Sequence, residues 1–211
     1  MFLLARQLEL VSNISKIDVK AYGPNWDLLR LLNDKYREFV NGHGGWYYRW
    51  LALAVRAIGP KHILELGPYK GVSTLMMYNE LPAMSKLTTV DLLKDQEFIP
   101  HEVYGDSRFR LVIGDDLDLS IYDDNLPSNV DFLFIDTEHF YSQIMKEWDL
   151  YRDFLLEGAL VVLDDIRLND MPRFWDMLRY PKEDLTSLCH PSGFGVFEYR
   201  RGVEQPNISA S

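Results

Sequence analysis

Apolar residues along this chain gather in short runs, and each run stops at an acidic side chain. The first starts at His62 and stops at Glu65, and the others cover Lys86 to Val90, Phe109 to Ile113, Val130 to Ile135 and Ala159 to Leu163. Their length and their content of Ile, Leu, Val and Phe predict strands buried on both faces. Helical spacing fills the stretches between and before them. Leu28, Leu31, Leu32 and Tyr36 fit one helix behind an Asn25 cap, and Trp46, Trp50, Leu53, Val55 and Ile58 fit a second that stops at Gly59-Pro60. Further helices are predicted over 73–80, over Phe140 to Leu156 with Ile144, Trp148, Tyr151 and Leu155 on one side, and over Met171 to Leu178. Glu157-Gly158 closes the long one. Leu185 to Cys189 and Phe194 to Tyr199 flank Pro191-Ser192-Gly193, which predicts an antiparallel hairpin.

Strands alternating with helices predict an α/β fold, Rossmann-like and doubly wound. Its sheet is mainly parallel and seven-stranded, with N-terminal helices and a C-terminal antiparallel hairpin. The breaker Asn41-Gly42-His43-Gly44-Gly45 divides a helical cap at 1–45 from a core at 46–201, and a polar tail follows at 202–211.

The acids that end the five predicted strands are Glu65, Asp91, Asp115, Asp136 and Asp164. Parallel strands bring those ends to one edge of the sheet, where ligands of open α/β folds bind. Aspartate also favours strand-to-loop turns for local reasons, so one such acid means little. Five in succession point to a functional edge.

Composition narrows the partners. The net charge is −10 and the pI is near 4.9, so the surface repels phosphate backbones and argues against nucleic acid. Cys189 is the sole cysteine, which excludes a disulfide within the chain and suits a reducing, cytoplasmic setting. Arg6 and Glu9 interrupt the apolar start too early for a signal peptide, and no apolar run reaches 18 residues, so no membrane association is expected.

The first strand runs into Gly67-Pro68-Tyr69-Lys70-Gly71, then a helix. Glycines there allow backbone angles closed to other residues, and the helix start offers N–H groups to an anion. Asp91 follows Gly67 by 24 residues, the placement of an acid that binds ribose hydroxyls. Nicotinamide and S-adenosylmethionine enzymes share that acid. The loop separates them: a pyrophosphate needs a middle glycine, whereas Pro68-Tyr69-Lys70 is bulky and suits an amino-acid carboxylate.

The stretch Leu64-Glu65-Leu66-Gly67-Pro68-Tyr69-Lys70-Gly71-Val72-Ser73 resembles the first motif of class I S-adenosylmethionine-dependent methyltransferases. Together with Asp91, Gly114-Asp115, Asp136 to His139 and Gly158 to Asp165, it is similar to the metal-dependent small-molecule O-methyltransferases of catechol, caffeoyl-CoA and macrolide-sugar types. The resemblance implies that Glu65, Gly67 and Gly71 shape the cofactor loop. It implies that Tyr69 and Ser73 approach the methionine end, that Asp91 holds the ribose, and that Gly114 and Asp115 lie near the adenine.

Asp136 ends the fourth strand and Asp164-Asp165 the fifth, so neighbouring strands would bring three carboxylates together. That is a hard oxygen site suited to Mg²⁺ first, or to Mn²⁺ or Ca²⁺; a helix cap at Asp165 beside a solvated Asp164 is the plain alternative. Catechol-type relatives carry asparagine where Asp165 stands. The same resemblance implies a general base at His139, with Glu138 as its rival. His43, His62, His101 and His190 have no such context.

The expected activity is transfer of a methyl group to a small hydroxylated acceptor. Trp46, Tyr47 and Tyr48 are candidates for its pocket wall, and Trp175 and Phe194 pose the same choice between pocket and core. Exposed aromatics of the N-terminal helices suit a homodimer contact. Two rival readings are a cofactor-holding partner protein without transfer and a Rossmann-type nicotinamide or nucleotide-sugar enzyme.

Overall fold

The structure is a computed structural model, and it describes residues 19, 34–42 and 45–203. The predicted helix at Leu28 to Leu32, its Asn25 cap, His43-Gly44 of the hinge and all but two residues of the polar tail lie outside the described residues.

Two helices, α1 (Asp34–Asn41) and α2 (Trp46–Ile58), precede the sheet. Its strands are β1 (His62–Leu66), β2 (Lys86–Asp91), β3 (Phe109–Ile113), β4 (Val130–Ile135), β5 (Leu155–Asp164), β6 (Lys182–Asp184) and β7 (Phe194–Glu198), in the order β3-β2-β1-β4-β5-β7-β6. Strands β1 to β5 are parallel, and β7 runs antiparallel to both β5 and β6. The connecting helices are α3 (Val72–Asn79), α4 (His101–Tyr104), α5 (Tyr141–Tyr151) and α6 (Met171–Met177). This is the predicted seven-stranded α/β sheet.

Residues alternate across the strands, so the sheet buries two cores. Phe132, Phe134, Leu160 and Val162 face Trp50 and Phe194 on one side. Leu133, Val161 and Leu163 face Trp148, Tyr151 and Phe197 on the other. Helix α2 is buried almost all round, from Tyr47 through Val55 save for half-buried Tyr48. Its Arg49 stays inside because Nε donates to the Val40 carbonyl at 3.0 Å and the guanidinium also reaches the Asn41 side chain.

Two boundaries differ from those expected. Helix α5 stops at Tyr151, a 3₁₀ turn covers Arg152–Phe154, and β5 already begins at Leu155. The β4–β5 register then jumps between Val130↔Leu155 and Phe132↔Leu160, an irregularity that contains Gly158 at φ 80°. In the hairpin, β6 is Lys182–Asp184, while Leu185 to Cys189 form a turn in which the N–H groups of Leu188 and Cys189 both donate to the Leu185 carbonyl. Leu185 and Cys189 are buried, so those apolar residues anchor the turn to the core. No helix among the described residues is long and apolar enough to cross a membrane.

Candidate active site

The topological switch point lies between β1 and β4, and the chain ends there close over a cavity of about 570 Å³. The Gly67 N–H donates to the Val90 carbonyl at 3.0 Å and the Asp136 N–H to the Leu66 carbonyl at 2.9 Å, so three strand ends are tied together. Gly67 (φ 81°) packs so closely that a Cβ would lie 2.1 Å from the Asp136 carbonyl oxygen. Gly71 (φ 86°) is the N-cap of α3, and the first intrahelical bond runs from the Leu75 N–H to its carbonyl. The N–H groups of Val72, Ser73 and Thr74 therefore precede the helical ladder, beside the cavity.

Glu65 is fully buried beneath this loop and accepts the hydroxyls of Ser73 at 2.5 Å and Thr74 at 2.6 Å. Burial pushes its carboxyl up, and those two hydroxyls hold it down. Glu65 thus fastens α3 to β1 and does not touch the cavity. Ser73 lines the cavity, but its hydroxyl is engaged by Glu65. Tyr69 stands at the mouth, 67% exposed, in a left-handed backbone conformation (φ 47°).

Further along the cavity wall lie Asp91, Gly114, Asp115 and Asp116. Asp91 is oriented by the Leu93 N–H at 3.2 Å and the Gln96 amide at 3.1 Å, and Asp115 by the Leu117 N–H at 2.9 Å. Behind them sits a carboxyl pair absent from the sequence reading. Glu147 of α5 is fully buried against Asp116, with Gln143 donating to Glu147 at 2.9 Å. Burial, and then the Asp116 carboxylate, push Glu147 up to about 8. In the unfolded chain it ionises near the ordinary glutamate value of about 4.3. The stability of neutral Glu147 is full below that value and is lost as pH rises through about 8. Glu147→Gln should therefore melt at nearly the wild-type temperature at pH 4.5 and several degrees above it at pH 9. Thermal melts over that range check this, and a constant gap would contradict it.

The opposite end of the cavity holds Asp136, Glu138, His139 and Asp164. Asp136 and Asp164 are both pushed well above the usual carboxylate range, by burial first and by neighbouring carboxylates next. Asp165 takes a left-handed conformation (φ 53°), which aspartate and asparagine tolerate better than most residues. It lies behind the cavity wall. Its Oδ2 is 3.3 Å from His139 Nε2, and its Oδ1 is buried without a hydrogen-bond donor. His139 Nε2 also lies 3.7 Å from Asp136. Burial holds the His139 imidazole below its ordinary value despite Asp165, which favours the neutral ring. Glu138 is exposed.

The structure adds a residue that sequence reasoning set aside. His190 is buried, with Nε2 2.6 Å from Asp164 Oδ1, Nδ1 2.9 Å from the Ser192 hydroxyl and 3.6 Å from Asp165 Oδ1. The signal was topological. Antiparallel β7 starts opposite the end of β5, in the pair Asp164↔Phe194, so the turn before Phe194 must lie beside Asp164 and Asp165. Tyr47 stacks near His190 with centroids 4.8 Å apart, and Tyr36, Tyr47 and Tyr48 complete the cavity wall. Trp46, the first residue of α2, packs against the core. Phe194 and Trp175 are core residues, Phe194 against Trp50 and Trp175 over Gly195.

A family model described as a methyltransferase domain matches residues 64–166, from β1 through the acids after β5. Fold and match together define the class: the sheet is an α/β, Rossmann-like methyltransferase fold, and residues 64–166 match a methyltransferase domain. Among solved structures it is similar to an O-methyltransferase from Bacillus cereus in complex with S-adenosylhomocysteine, at 18% identity over 89% of this chain and 94% of that one, with a TM-score of 0.63. It is also similar to the O-methyltransferase TomG from Streptomyces achromogenes, at 18% identity over 93% of this chain and 98% of that one, with a TM-score of 0.61. At the sequence level, 42 residues are 38% identical to an uncharacterised protein of Acanthamoeba polyphaga mimivirus; the match spans 20% of this chain and 19% of that protein's length.

Proposed function

We propose that the chain transfers a methyl group from S-adenosylmethionine to a hydroxyl of a small acceptor, assisted by a divalent cation. One observation carries the reading. A single cavity has the glycine loop, Asp91 and Asp115 along one part and Asp136, His139 and Asp164 along another. In it, Asp91 would accept from the ribose, Asp115 would stand near the adenine, and the first N–H groups of α3 would face the methionine carboxylate. S-adenosylmethionine supplies an electrophilic methyl on a sulfonium.

The residues present fit a cation. Asp136, Asp164 and Asp165 lie together, two of them raised by burial first and by neighbouring carboxylates next, and Asp165 Oδ1 is buried without a donor. When bound, a divalent cation makes a nearby hydroxyl more acidic. Mg²⁺ suits three carboxylates, so Asp136, Asp164 and Asp165 are the proposed ligands. His139 is the proposed base, because it is held neutral and lies beside these acids, whereas Glu138 lines the same cavity but is exposed and has no such contact with them. Tyr47 and Tyr48 form the acceptor wall and restrict it to small molecules. The fold's likeness to the O-methyltransferases of Bacillus cereus and Streptomyces achromogenes supports oxygen as the acceptor atom.

Incubation with methyl-labelled S-adenosylmethionine and a panel of phenols and sugars, with and without chelator, tests the reading. Label should appear in an acceptor hydroxyl and fall sharply with chelator. Labelled nitrogen or carbon products, or chelator-independent turnover, would overturn the corresponding part. His139→Ala should lower kcat about a hundredfold while S-adenosylhomocysteine affinity stays within about threefold, and Glu138→Gln should change kcat by less than about threefold. The reverse ranking would move the base to Glu138.

A further inference from the structure

We infer that His190 is a nitrogen ligand of the cation site, so that the site selects a later transition metal over Mg²⁺. The inference rests on the cation reading above and changes its chemistry. Asp164, Asp165 and His190 each offer one ligand atom, and these atoms all lie within 4.8 Å of one another. In octahedral coordination with bonds of about 2.0–2.2 Å, adjacent ligand atoms sit about 3 Å apart and opposite ones about 4.2 Å. Asp164 Oδ1 lies 2.6 Å from His190 Nε2 and Asp165 Oδ1 3.6 Å from Nδ1, near the adjacent-ligand spacing.

Three features favour ligation over a passive hydrogen bond. His190 and Asp164 are both more than nine-tenths buried, and Asp164 also lines the cavity. The ring is already oriented on its other side, where Nδ1 meets the Ser192 hydroxyl at 2.9 Å, the kind of outer partner that fixes a ligating imidazole. Asp165 Oδ1, 3.6 Å from His190 Nδ1, is buried and accepts no hydrogen bond. A cation between Asp164, Asp165 and His190 would satisfy that oxygen and separate the two carboxylates.

The metal class follows from the donor set. Carboxylate oxygens alone suit Mg²⁺, Ca²⁺ and Mn²⁺; one imidazole shifts preference toward Fe²⁺, Co²⁺ and Zn²⁺. Asp136, on the adjacent strand end, lines the cavity. His139 lines it too and contacts Asp165, which leaves it available as a base.

The test uses the full chain and the metals alone. Equilibrium dialysis against Mg²⁺, Mn²⁺ and Co²⁺ measures affinity, and pulsed electron paramagnetic resonance of bound Mn²⁺ detects imidazole nitrogen. The expected result is one Co²⁺ per chain, bound at least tenfold more tightly than Mg²⁺, with nitrogen modulation on Mn²⁺. His190→Gln should lose the modulation and weaken Co²⁺ at least tenfold, while Mg²⁺ affinity changes less than threefold. The wild-type resonance needs no variant, so it decides the matter even if His190→Gln misfolds. Binding of Mn²⁺ without nitrogen modulation would overturn the His190 assignment and leave the cation reading standing. No binding of any of the three metals would overturn both.

Discussion

Replacing Gly67 with alanine is expected to abolish measurable S-adenosylhomocysteine binding and to lower the melting temperature by roughly 10 °C. Two costs combine. The residue sits at φ 81°, where a side chain is strained by about 1–2 kcal/mol. The added Cβ would also meet the Asp136 carbonyl oxygen at 2.1 Å. That oxygen is backbone and cannot rotate away, so the loop and the β4 end must part. A total near 4 kcal/mol is reasonable for a core clash with backbone strain, and each kcal/mol shifts melting by about 2–4 °C at this size. Both halves of the site move, because Gly67 packs on the residue that carries the Asp136 carboxylate. Calorimetry with S-adenosylhomocysteine and a thermal melt check this. An alanine variant that binds like wild type would mean the loop does not hold the cofactor.

Asp136→Asn is expected to separate stability from activity. Methyl transfer should fall at least about a thousandfold, because the substitution removes a charge aimed at the reacting end of the cavity. The metal-free protein should nevertheless melt several degrees higher. Asp136 lies among Asp164, Asp165 and Glu65, and burial and these neighbours all disfavour its ionised form. Asparagine keeps the shape and removes the repulsion. A divalent cation should raise the melting temperature of wild type more than that of the variant, because the wild-type ion relieves a cost the variant lacks. Melts with and without metal, beside a methyl-transfer assay, measure all three. An active variant would remove Asp136 from the site, and a destabilised one would show that its carboxylate is structurally required.

The fold was legible because its signals are local. Each parallel strand is a short apolar run bounded by an acid, and the acids then mark the ligand edge without further information. Tertiary packing set what was missed. Leu155 satisfies the apolar face of a helix through Trp148 and Tyr151 equally well as the first residue of β5, so the helix end could not be read from spacing. Strand β6 is Lys-Glu-Asp at the sheet edge, where charge is normal and hydrophobicity gives no signal. Ser73 lines the cavity but donates its hydroxyl to Glu65, a contact between a strand and the next helix that no motif states. His190 lies 26 residues beyond Asp164 in sequence and becomes its neighbour only through the antiparallel return of β7. The Asp116–Glu147 pair likewise needs β3 and α5 brought side by side.

The central claim is that this cavity binds S-adenosylmethionine through the glycine loop and Asp91. Isothermal titration calorimetry of the full chain with S-adenosylhomocysteine tests it most directly, alongside Asp91→Ala. One-to-one binding in the wild type, weakened at least tenfold by the substitution, is the predicted result; no heat of binding in the wild type, or equal binding in both proteins, would contradict it.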